Sequence, residues 1–172
     1  SHLTTGCPLF RRKSPPSARL NSGVRHQTMH WLRVRYIPGF QEDLSSWVLL
    51  IGSDGRIVQS VDVCLFSPSE QRKDTYHSCL TSNQMNDLAQ RISTLPFHEI
   101  RSAANQSVVD DAEQIEVTHF RDGETVAFTA PLVWWAYKQS RGDTQPPAIL
   151  DAIDLWHQLL PLSKHKGRAT GA

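Results

Sequence analysis

Trp47-Val-Leu-Leu-Ile-Gly-Ser-Asp54-Gly55-Arg-Ile-Val58 leads through a helix-like stretch to Leu95-Pro96-Phe97. Ile115-Glu-Val-Thr-His-Phe-Arg-Asp122-Gly123-Glu-Thr-Val126 leads through another to Leu160-Pro161-Leu162. Each copy reads as a strand, an Asp-Gly turn, a second strand and a helix stopped by proline. Glycine and proline stand 41 positions apart in the first copy and 38 in the second. Asp-Gly suits a tight hairpin, because glycine takes a positive φ without Cβ strain. Strands joined by tight turns run antiparallel. Helices packed on one face of such a sheet give a two-layer α+β domain, here with two pseudo-repeated hairpin-helix halves.

Upstream, His30-Trp-Leu-Arg-Val-Arg-Tyr-Ile37 alternates with period two and reads as a half-buried strand. Pro38-Gly39 ends it. Trp47 to Ile51 and Arg56 to Phe66 are the next strands, and the polar run from Ser67 to Ser78 reads as a loop. The first helix has the sharpest boundaries. Thr81 and Gln84 form a capping box, and Leu80 and Met85 a hydrophobic staple. Met85, Leu88, Ile92 and Leu95 repeat at helical spacing, and Pro96 stops the helix. Residues 98–113 are polar. Gln114 to Arg121 alternates, with Ile115, Val117 and His119 on one side and Glu116, Thr118 and Phe120 on the other. Val126 and Phe128 continue a strand to Pro131. Gly142 to Pro147 reads as a linker carrying helix-start signals, with Asp143 or Thr144 as cap and Pro146 or Pro147 in the first turn. Ile149, Ile153, Trp156 and Leu160 give the second helix its apolar face. The expected order is β-β-β-α-β-β-α: about five strands, mainly antiparallel, and two helices.

Of the 172 residues, 39% are hydrophobic and 20% charged, the composition of a chain that can bury its own core. No run of 18 apolar residues marks a membrane span. The net charge of +1 hides an asymmetry. Residues 1–28 hold Arg11, Arg12, Lys13, Arg19 and Arg25 with no acid, and residues 164–172 hold Lys164, Lys166 and Arg168 with no acid. These segments carry +5 and +3, leaving −7 on residues 29–163. Residues 1–28 read as a basic flexible arm, 29–163 as a single α+β domain and 164–172 as a basic tail. Arg- and Ser-rich, acid-free composition also fits an organellar targeting segment, so the compartment stays open between cytoplasm and organelle.

Catalytic motifs are scarce. The eight histidines are His2, His26, His30, His77, His98, His119, His157 and His165. None forms a zinc-type spacing, and His77-Ser-Cys79 offers two ligands where three or four are needed. No cofactor motif and no metal site is expected: the Gly-rich phosphate loop, the Walker lysine and the nucleophile elbow are all lacking. Asp110-Asp111-x-Glu113 reads as a solvated acidic loop, lacking the glycine and ligand spacing of a calcium loop. Asp151 and Asp154 read as the wet side of the last helix. Cys7, Cys64 and Cys79 are too few and too irregular for a disulfide framework; a Cys64–Cys79 bridge is weighed and disfavoured. Cys79 precedes a helix start, which lowers a thiol's pKa, yet a plain loop thiol is the simpler account.

The aromatic cluster is more suggestive. If residues 132–137 are extended, neighbouring side chains alternate, so Trp134 and Trp135 point to opposite sides. With Tyr137 they mark an interaction surface, since exposed aromatics contribute large contact area. The leading expectation is a non-catalytic protein-interaction domain, an adaptor or inhibitor, using Trp134, Trp135 and Tyr137 toward a protein partner or a second copy. The second is a nucleoprotein subunit contacting phosphates through Arg11, Arg12, Lys13, Arg19 and Arg25. The third is a small hydrolase or metal-dependent enzyme using dispersed residues such as His77, Cys79, His119 and Asp111.

Overall fold

The computed structural model describes residues 30–39, 45–64, 71–107 and 111–164. The expected basic arm and most of the basic tail lie outside them. The strands are β1 (His30–Ile37), β2 (Ser46–Gly52), β3 (Arg56–Val63), β4 (Arg72–Cys79), β5 (Gln114–Arg121) and β6 (Glu124–Ala130). The helices are α1 (Ser82–Thr94), α2 (Phe97–Gln106), α3 (Leu132–Ser140) and α4 (Pro147–Leu159). A 3₁₀ turn, Leu160–Leu162, follows α4. The six strands form one antiparallel sheet in the order β4-β3-β2-β1-β5-β6. The α+β class is as expected, with one more strand and two more helices.

The alternating apolar residues decide which face is buried. Leu32, Val34 and Tyr36 of β1, Trp47, Leu49 and Ile51 of β2, and Ile115 and Val117 of β5 have almost no exposure. They meet Leu88, Ile92, Ile100, Leu132, Trp135, Ile153 and Trp156 from all four helices in one core. Tyr36, Trp47 and Trp156 stack in series, 5.6 and 6.3 Å between centroids, and tie α4 onto β2 and β1. The opposite face of the sheet is half-buried and mixed. There the Arg33 guanidinium donates to Glu116 Oε1 at 2.8 Å and to Thr118 Oγ1 at 3.3 Å.

Both Asp-Gly signals form hairpins, by different turns. Asp122 and Gly123 both have positive φ, 49° and 84°, as a two-residue type I′ turn requires. The first hairpin uses Ser53 to Gly55, with only Gly55 at positive φ, 78°. The two hairpins lie on either side of β1, and β2 and β5 run the same way because both oppose β1. From β2 the chain turns outward to one side, and from β5 to the other, while every helix packs into the same core. No rotation superposes two such halves. The repeat is therefore one of sequence pattern and not of three-dimensional structure: β4 follows the hairpin in the first copy and α3 in the second.

α1 begins as its sequence dictates. Gln84 N–H donates to Thr81 Oγ1 at 3.2 Å, and Thr81 N–H donates to Gln84 Oε1 at 2.9 Å. Three segments depart from expectation. The polar run read as a loop holds all of β4 but its last residue, Cys79, and every residue of β4 pairs with β3; as an edge strand it shows no apolar alternation. Residues 97–106, read as polar irregular chain, form α2, anchored by Ile100 and Phe97. Residues 132–140 are the helix α3 and not an extended segment. α4 starts on Pro146 and Pro147 with no side-chain cap. Asp143 is instead paired with Lys138, Nζ to Oδ2 3.5 Å.

At the other end of α4 the chain is clamped to the sheet. Gln59 points inward from β3, and its Nε2 donates to Ser163 Oγ at 2.6 Å. Its Oε1 accepts from Lys164 N–H at 2.8 Å. Gly39 has a packing role: a Cβ there would collide with the Asp111 carbonyl oxygen, so the turn after β1 lies against the backbone that enters β5.

Candidate interaction groove

Pro131 ends β6 and sits at the N-cap of α3, so the most apolar stretch of the chain is wound into a helix. Successive helical side chains are rotated by about 100°, and residues three apart share a face. Trp135 accordingly turns into the core with 3% exposure. Trp134 and Tyr137 come together on the outer face, 38% and 50% exposed. Their rings lie 5.6 Å apart at 29°. The separation of the two indoles expected from alternation is present, but helical rotation produces it.

Trp134 stands at the rim of a cleft of about 440 Å³ formed with Gln106, Ser107, Lys138 and Gln145. Gln106 also closes a neighbouring cleft of about 630 Å³, lined by Pro96, Glu99, Pro146, Pro147 and Asp151. Sharing Gln106, the two make one groove along α2, with α3 and the first turn of α4 as its far wall. Pro146 and Pro147 lack N–H donors, which leaves that wall apolar. Neither Glu99 nor Asp151 is ion-paired with a described residue. The groove thus has an aromatic end and an acidic end. Sequence reading found Trp134 and Tyr137 but missed the α2 wall. The signal available was Glu99, Ser102 and Gln106 at near-helical spacing immediately after a proline.

The residues of the enzymatic expectation are not brought together. His77 lies opposite Val58 on the outer face of β4. His119 lies opposite Leu32 on the inner face of β5, four strands away. Asp111 sits in the turn before β5 at φ 65°. Cys79 is disulfide-bonded, to a partner outside the described residues, so it offers no free thiol, and Cys64 is free. The weighed Cys64–Cys79 bridge is not formed. No group of three His, Cys, Asp or Glu side chains suited to a metal ion occurs among the described residues. None of their helices is long and apolar enough to cross a membrane. Asp110 and the basic residues Arg11, Arg12, Lys13, Arg19 and Arg25 lie outside the described residues.

His119 is 8% exposed between Trp31, met edge-on at 5.5 Å, and Phe97, stacked at 6.4 Å. Burial among these rings, helped by the nearby Arg121 guanidinium, lowers its pKa below 6.5. Trp31 reaches this inner cluster because β1 carries a bulge between His30 and Leu32. Neither protein-family models nor curated proteins give a match to this chain.

Proposed function

We propose that the chain is a non-catalytic protein-interaction domain that binds its partner along the groove between α2 and the α3–α4 corner. One observation carries this reading: Trp134 and Tyr137 are stacked on each other and exposed, and Trp134 lines a cleft together with the buried Trp135. Large aromatic side chains left in water beside a concavity supply much contact area at low entropic cost. The buried Trp135 one position on fixes the helix that presents them. A partner side chain entering the 440 Å³ cleft would pack on Trp134 and hydrogen-bond to Gln106 or Gln145.

The test is selection of peptides on the full chain from a random library, followed by affinity measurement on Trp134→Ala and Tyr137→Ala variants. Selected peptides should bind either variant at least about tenfold more weakly, a loss of about 1.4 kcal/mol. Thermal melting of the Trp134→Ala variant should stay close to that of the parent. Peptides that bind all three proteins equally would place the interaction surface elsewhere.

A further inference from the structure

We propose that the partner segment taken by the groove is basic: another protein places an arginine or lysine between Glu99 and Asp151 and an apolar side chain against Trp134. The inference rests on the groove of the preceding reading and adds the chemistry of its occupant. Charge carries it first. Glu99 of α2 and Asp151 of α4 line the same cleft from its two walls. Both are exposed, and neither is ion-paired with a described residue. The lysine of the groove, Lys138, is engaged by Asp143 at 3.5 Å. Arg91 of α1 is held on α4 by Asp154 and Gln158, at 3.7 and 3.1 Å. Arg101 of α2 lines neither cleft.

Two carboxylates in one cleft repel each other, and a shared cation relieves both. An arginine suits this best, because its planar fork of donors can bond to two carboxylates at once. An acidic segment would meet repulsion at the same place. Spacing is the second support. Glu99 and Gln106 stand seven positions apart in α2, about 10 Å along the helix axis. Gln106 is where the acidic cleft joins the cleft of Trp134. An extended chain advances about 3.3 Å per residue. The cation and the apolar side chain of an extended partner therefore stand about three residues apart, and those of a helical one about seven.

The test uses the random peptide library on the full chain, in non-reducing buffer so that the Cys79 disulfide stays intact. Selected peptides should be enriched in arginine or lysine at one of these two spacings from an apolar residue. They should bind the Glu99→Gln/Asp151→Asn double variant about tenfold more weakly, and the parent more weakly as salt is raised. Replacing the peptide's cation by glutamine should cost as much, and making both changes little more, as a direct charge pair requires. Selection on a Glu99→Lys/Asp151→Lys variant should instead enrich acidic residues at that position. Both surface variants should melt with the parent. Peptides that need Trp134 and Tyr137 but carry no enriched cation, or bind the double variant equally well, would overturn the proposal and leave the interaction reading standing. Peptides that need neither the aromatic pair nor the carboxylates would remove both. A dimer of the full chain that the Glu99→Gln/Asp151→Asn variant dissociates would assign the groove to a second copy and overturn the proposal too.

Discussion

At the scale of single residues, burial decides what a substitution does. Leu88 is 1% exposed at the centre of the α1 stripe. Leu88→Ala should cost about 2–5 kcal/mol in chemical denaturation, the transfer and cavity terms together. Trp135→Ala should cost about 3–5 kcal/mol, whereas Trp134→Ala should barely move the midpoint. His119 gives a pH dependence of definite sign. Its pKa is lowered on folding, so near and just below pH 6.5 the unfolded chain binds more protons than the native one. Stability is fully present above 6.5 and is lost as pH falls through 6.5 toward the lowered value. Denaturation midpoints should drop across that interval, and His119→Phe should drop less than the parent. The seven other histidines are common to both proteins, so the difference isolates the buried ring.

At the scale of elements, sequence legibility followed the contrast between wet and dry sides. β1 and β5 were legible to the residue because most of their inner positions are apolar and most of their outer ones polar. α1 was legible because its cap, staple and stripe agree. β4 was not, because an edge strand exposed on both sides carries no alternation: Arg72-Lys-Asp-Thr-Tyr-His-Ser-Cys79 is held by backbone pairing to β3. α2 buries fully only Ile100, too little for a stripe. α3 was misread because Val133, Trp134, Trp135 and Tyr137 favour strands intrinsically; packing of Leu132 and Trp135 into the core overrides that preference. The groove was half legible for the same reason, its aromatic rim plain in the sequence and its α2 wall hidden. The Gln59 clamp belongs to this scale. Gln59→Leu should leave Ser163 Oγ and Lys164 N–H without that partner and cost about 1–3 kcal/mol. Hydrogen exchange at the Lys164 amide should quicken in the same variant.

At the scale of the whole molecule, β1 is the keystone, flanked by β2 on one side and β5 on the other. Leu32, Val34 and Tyr36 are fully buried in one core shared with residues of both flanking hairpins and of α4. Arg33 meets Glu116 across 83 positions of sequence. Neither half is therefore an independent folding unit, whatever their similarity in sequence pattern. A chain ending at Ser107 should show no cooperative thermal transition by circular dichroism. Adding the remaining piece should restore one, and a cooperative melt of the first piece alone would refute the shared-core account.

The stacked Trp47 and Trp156 give the molecule an optical reporter. Two indoles 6.3 Å apart and within 9° of parallel couple their ultraviolet transitions. Because one indole rides on β2 and the other on α4, the coupled near-ultraviolet signal registers the docking of that helix on the sheet. Lost ellipticity on replacing either Trp47 or Trp156 by phenylalanine, compared with the parent, would calibrate the signal. Helix undocking during unfolding could then be followed without any added label.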